Sequence, residues 1–139
     1  MSFSGYLIRV GGAGNTYTIP LKFMRYETYQ VTYNTQDLDS YRDANGELHR
    51  NALSHKVGKV EFNTPTISNS EMETLLSNIR AKFINAQEKR ILVTFYNPDS
   101  NDYITQEMYM PDISFKIRNV DESRHTLNYS ETRIAFIGY

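Results

Sequence analysis

The chain has no cysteine and no tryptophan, only four prolines and seven glycines, and no surplus of either charge. Without cysteine it forms no disulfide and offers no thiolate to a metal. That agrees with a reducing cytoplasm or a particle assembled there. Fifteen basic side chains stand against sixteen acidic ones, a formal net charge of -1. No basic excess draws the chain to nucleic acid, and no acidic block forms a tail. The start, Met1-Ser2-Phe3-Ser4-Gly5, lacks the charged-then-apolar layout of a signal peptide, so the chain is expected to stay unexported. Apolar runs are a few residues long, far below the roughly 20 of a membrane span. With no linker, repeat or low-complexity stretch, residues 1–139 are expected to form a single domain.

What the chain does have is aromatic residues: 11 tyrosines and 7 phenylalanines. Tyrosine couples an apolar ring to a polar tip, which suits half-buried sheet faces and interfaces. A β-rich protein follows, and one that buries surface against neighbours is the sharper reading.

The periodicities agree. Tyr6-Leu7-Ile8-Arg9-Val10 reads as a first strand, broken by Gly11-Gly12-Ala13-Gly14-Asn15 and resumed over 16–20. Residues 26–38 read as strand, since Tyr29, Val31 and Tyr33 alternate with Gln30, Thr32 and Asn34. Residues 54–62 read as strand again, through Val57, Val60 and Phe62. Between them lies a polar stretch whose Asn45-Gly46 pair signals a tight turn. Residues 26–62 are therefore expected to form one long hairpin. Its distal half, about 36–54, should project as an arm.

A helix is predicted over 68–84. Ser68-Asn69-Ser70-Glu71 is a capping box, and Met72, Leu75, Leu76, Ile79 and Phe83 make one apolar stripe. Ile91-Leu92-Val93-Thr94-Phe95-Tyr96 reads as a central strand. A turn at 97–102 leads to a returning strand over 103–110, ended by Pro111. Ile113, Phe115 and Ile117 are placed on one face of a strand, 119–125 is read as a polar loop, and 126–139 as a long last strand with a bulge near 130–132. About seven strands and one amphipathic helix predict a mainly β (α+β) fold, a β-sandwich or partly open barrel with the helix packed across it.

No pattern points to catalysis. The glycine cluster lacks the following helix and Lys-Ser/Thr pair of a phosphate loop, so it reads as a turn. Asp39, Asp43, Asn45 and Gly46 hint at a calcium loop. An EF-hand with its glycine at 46 would need an acidic first ligand where Tyr41 stands, and a glutamate where Ala52 stands. Only a weak, irregular cation site is left as an alternative there. His49, His55 and His125 form no ligand pair, and Glu107 and Glu131 have no common cleft in sequence. There is no nucleophile elbow, and the cations are scattered without a stacking stripe. We expect no catalytic, cofactor or metal residues, no cofactor, and no direct nucleic-acid or membrane binding. A carbohydrate- or host-surface-binding module using Tyr96, Tyr103 and Tyr109 is the alternative from another class, although cross-strand packing explains those rings more simply.

That leaves the arm. A long polar ribbon costs ordering entropy and buries little in a lone subunit, and it makes sense if a neighbour accepts it. Tyr41, Arg42, Asp43, Asn45, Gly46, Leu48, His49 and Arg50 are therefore the candidate assembly residues. The arm 42–50, the segment Val60-Glu61-Phe62-Asn63-Thr64-Pro65, the capped helix and the β-rich remainder 91–139 together resemble small structural proteins of bacteriophage and prophage tails, of the tail-tube and distal-tail (baseplate-hub) kind. The resemblance covers the chain as an order of elements. It implies a ring of like subunits, a hexamer by analogy, in a virion tail built in the bacterial cytoplasm with other tail proteins. Tube, completion ring and hub adaptor fit it alike.

Overall fold

A computed structural model describes residues 3–139. Met1 and Ser2, which open the segment read for a signal peptide, lie outside the described residues. The fold is mainly β and sandwich-like, with antiparallel sheets and, among the described residues, one α-helix. Strands β1 (Ile8–Gly12) and β2 (Asn15–Thr18) form a hairpin over the glycine turn, where Gly11 takes φ +95°. A short 3-10 turn, Leu21–Phe23, buries Phe23. The long hairpin is β3 (Gln30–Asp37) against β6 (Ala52–Asn63), with the small ribbon β4 (Tyr41–Arg42) and β5 (Leu48–His49) at its end. Next come β7 (Ile67–Ser68), helix α1 (Asn69–Arg80), β8 (Phe83–Asn85), β9 (Arg90–Asn97), β10 (Asp102–Tyr109), β11 (Ile117–Asp121), β12 (Thr126–Tyr129) and β13 (Arg133–Gly138).

The large sheet runs β2-β1-β9-β10-β13-β6-β3, with β8 also on β9. It does not close into a barrel. As expected, β9 is central, and it alternates: Ile91, Val93 and Phe95 are buried, Leu92, Thr94 and Tyr96 half-buried. β9 and β10 pair over eight positions, but β10 meets β13 at only two, Met108 with Gly138 and Tyr109 with Ile137. The sheet thus divides into two leaves at this short seam. They enclose one apolar cluster containing Ile8, Val10, Val60, Phe62, Phe95 and Phe136. Tyr29 ties leaf to leaf, its hydroxyl donating to the Tyr96 carbonyl at 2.7 Å, and burial pushes its phenol well above the usual range.

Helix α1 starts as the sequence predicts. The Ser68 hydroxyl accepts from the Glu71 amide, and Glu71 accepts from the Ser68 amide, closing the capping box. Met72, Leu75, Leu76 and Ile79 are buried in the core cluster. The helix ends at Arg80, four residues before the predicted end. Phe83 continues its apolar period but pairs as strand with Ile91, because the Asn85 side chain caps the amides of Gln87 and Glu88 and turns the chain into β9.

Other boundaries also shift. Residues 26–29 are not strand: Arg25 and Thr28 form a turn with Glu27 at φ +66°, and Tyr26 is exposed. The predicted strand through 113–117 and the predicted loop over 119–125 are replaced by the hairpin β11–β12. The last strand is two strands in two sheets, since β12 joins β11 and β7 in a separate three-stranded sheet. The expected bulge at 130–132 is where the chain crosses between sheets. Thr132 is pinned there to buried Thr64: the Thr64 amide donates to the Thr132 carbonyl at 2.8 Å, and the Thr132 amide donates to the Thr64 hydroxyl at 3.2 Å.

Candidate assembly surfaces

The arm leaves the β3–β6 ladder just after Asp37 and Ala52. Leu38 donates to the Asn51 carbonyl at 2.9 Å, Asp39 takes φ +54°, and the ribbon restarts at Tyr41 opposite His49. Two side chains staple this joint: the Arg50 guanidinium grips the Asp37 carboxylate through two bonds, 3.0 and 3.2 Å.

The tip is held by Asp43. Its Oδ1 accepts from the amides of Asn45 (2.9 Å) and Glu47 (3.0 Å), and its Oδ2 lies 2.8 Å from His49 Nε2. The His49 bond, then the Glu47 amide, holds the Asp43 carboxyl below the usual carboxylate range. Tyr41 stacks on His49, ring centroids 4.9 Å apart and 11° from parallel. Arg42 donates to the Gly46 carbonyl at 2.9 Å. Gly46 takes φ +83° while Asn45 does not adopt positive φ, so the turn is an Asp43-capped loop rather than a two-residue Asn-Gly turn. All these contacts close within the arm. Its own polar groups thus hold the shape of the ribbon. Leu38, Tyr41, Leu48 and Leu53 nevertheless remain exposed, so the arm's apolar atoms are uncovered.

The structure brings together Tyr41, Arg42, Asp43, Gly46 and His49 as one knot, with Leu48 and Arg50 on its return strand. The ligand atoms of Asp43, Glu47 and His49 lie within 4.8 Å of one another. Both Asp43 oxygens already accept hydrogen bonds, so this cluster reads as a turn lock. His55 contacts the Tyr139 carbonyl, and His125 is a left-handed turn residue between β11 and β12. Glu107 pairs with Arg90, and Glu131 with Arg25 and Asn63, so the two carboxylates serve separate joints.

Two of the three tyrosines considered for sugar stacking are covered by their own chain. Phe3 packs edge-on against Tyr96, and Tyr6 stacks on Tyr103 at 4.5 Å. Tyr109 meets Tyr139 edge-on. No helix among the described residues is long and apolar enough to cross a membrane.

With this geometry in view, the sequence pattern of a family of unknown function, DUF6711, matches residues 1–139. The chain belongs to that family. No curated protein matches it. Among solved structures it is similar to a chain in the tail of an empty GTA (gene transfer agent) particle, determined by helical refinement with C6 symmetry. The TM-score is 0.53 at 14% identity, over 99% of this chain and 95% of that one. This likeness is one of fold. It spans nearly the whole of both chains, so this DUF6711 member shares an architecture with that tail component from end to end.

Proposed function

We propose that the protein is a structural, non-catalytic subunit of the tail of a phage or prophage-like particle. Copies join into a ring through their strand edges and the arm 40–51, as tube, completion ring or hub adaptor. The observation that carries this reading is the end-to-end fold likeness to a component of a C6-symmetric tail. The arm supports it, because a self-locked ribbon that leaves Leu38, Tyr41 and Leu48 in water gains from a neighbour that covers them. The two ends of the large sheet, β2 and β3, carry backbone groups free to pair with another strand. The whole chain acts as one unit in this proposal. Other tail proteins would be its further partners and the virion its location.

The test is solution mass by light scattering across a concentration series, followed by imaging. Closed rings, alone or with partner tail proteins, support the reading. A strictly monomeric protein under both conditions overturns it. The sugar-binding alternative gains nothing from the structure, since Tyr103 is stacked on Tyr6 and Tyr96 is packed edge-on with Phe3.

A further inference from the structure

We propose that the apolar face of the β11–β12 hairpin is the seat for the arm of a second copy of this chain. This rests on the assembly reading above and adds the acceptor surface to it.

The face is created by a bulge. Residues opposite one another on a ladder project to the same side, and Ile117 pairs with Tyr129 while Val120 pairs with Leu127. The register shifts by one residue between Ile117 and Asn119. Ile117 and Val120 are three apart, so in a regular strand they would point to opposite sides. The bulge instead gathers them with Leu127 and Tyr129. Ile117 is 53% exposed and Val120 61%. Next to them Phe115 packs on Tyr129 at 5.7 Å, and both rings line a groove of about 700 Å³ whose other wall includes Met72 and Leu76 of α1. The apolar sheet face thus continues into a groove of mixed character, in which Glu73 and Arg80 stand beside the apolar residues.

The occupant follows from topology and charge. Strand β6 runs from Ala52 at the arm to Asn63, and beyond Asn63 the chain enters β7, whose sheet carries β12 and β11. Twelve residues of strand span roughly 40 Å. The arm and this face therefore stand at opposite ends of the molecule, and one copy does not reach its own seat. A contact between copies is then head to tail, which propagates into a ring or a stack. The charges lean the same way. The arm carries Asp37, Asp39, Asp43 and Glu47 against Arg42 and Arg50, and the hairpin carries Lys116, Arg118 and Arg124 against Asp121 and Glu122. Of these, Asp39 and Glu47 on the arm and Lys116 and Arg118 beside the face make no ion pair among the described residues, nor do Arg42 and Glu122. Leu38 (51% exposed), Tyr41 (59%) and Leu48 supply the apolar side of the fit.

The chain's lack of cysteine makes the test direct. Leu48→Cys and Val120→Cys, each exposed in the structure, are purified as full chains, mixed and oxidised. A cross-linked mixed dimer is expected, and the double variant should give a ladder of multimers. Val120→Asp should weaken assembly at least tenfold with an unchanged circular dichroism spectrum. Glu47→Lys should weaken it too, and Lys116→Glu in the partner copy should restore it. Cross-links mainly between like variants, or assembly indifferent to Val120→Asp, overturns the seat while leaving assembly itself standing. A chain that stays monomeric in light scattering overturns both readings.

Discussion

Gln106 of β10 reaches across to β6, where it accepts from the Gly58 amide at 2.9 Å and donates to the Lys56 carbonyl at 2.8 Å. One side chain thereby bridges the two leaves beyond the point where β13 stops separating them. A Cβ on Gly58 would fall 2.9 Å from Gln106 Oε1, Met108 Cε and Phe95 Cζ, so only glycine leaves room for this crossing. Gly58→Ala is expected to destabilise the fold by about 1–3 kcal/mol through overpacking. Gln106→Ala should cost about 1–3 kcal/mol by leaving backbone groups at the seam unpaired. Urea unfolding of both variants checks this, and wild-type midpoints would refute it.

The arm is closed on itself and contributes no residue to the core cluster. Replacing residues 40–51 by a short turn should therefore leave unfolding free energy within about 1 kcal/mol of wild type, as for surface changes away from the core. The same variant should fail to assemble in light scattering. Normal assembly would remove the arm from the interface.

The arm tip should loosen in acid. The folded Asp43 carboxyl titrates below its unfolded value, chiefly because of His49. Its ordering contribution is thus complete above the ordinary carboxylate range near about 4 and is lost as pH falls through the depressed folded value. Amide exchange at Asn45 and Glu47, both bonded to Asp43, should speed up over that interval while the core amides of β9 stay protected. Asp43→Ala should show the fast rates at neutral pH.

The helix is a core element. Ile79 is fully buried and Leu76 nearly so. Truncating either to alanine should cost about 2–4 kcal/mol, the range for a cavity in a packed core. Ser68→Ala removes the cap and should cost about 1 kcal/mol. Thermal unfolding with equal helix content in the folded baseline separates these effects from local fraying.

The elements legible in the sequence are those whose signal is local. Period-2 alternation marked β3, a continuous apolar run marked β9, the turn at 97–102 marked the return into β10, and the Ser68–Glu71 box marked the start of the helix. Phe83 misled, because its place in the helical period also suits a strand once Asn85 turns the chain. The 119–125 segment misled for a related reason. Asn119, Asp121 and Glu122 are polar, but β11 is an edge strand exposed along nearly its whole length, and polarity there is compatible with pairing. The arm was read from its polar composition and its Asn45-Gly46 turn signal between two strand patterns. Its lock was not, since neither the Asp43–His49 bond nor the Tyr41–His49 stack has a spacing rule.

The sequence by itself determined that this is a mainly β chain with one capped helix and a hydrophilic arm, because side-chain periodicity, caps and turn residues act within a few positions of one another. Tertiary structure alone decided that the last strand splits between two sheets at Thr132, that Gln106 bridges the leaves, and that a bulge turns Ile117 and Val120 onto one exposed face. Those outcomes depend on which distant strands pair and in which register. Such choices are set by the burial of the whole core and leave no mark at any single position.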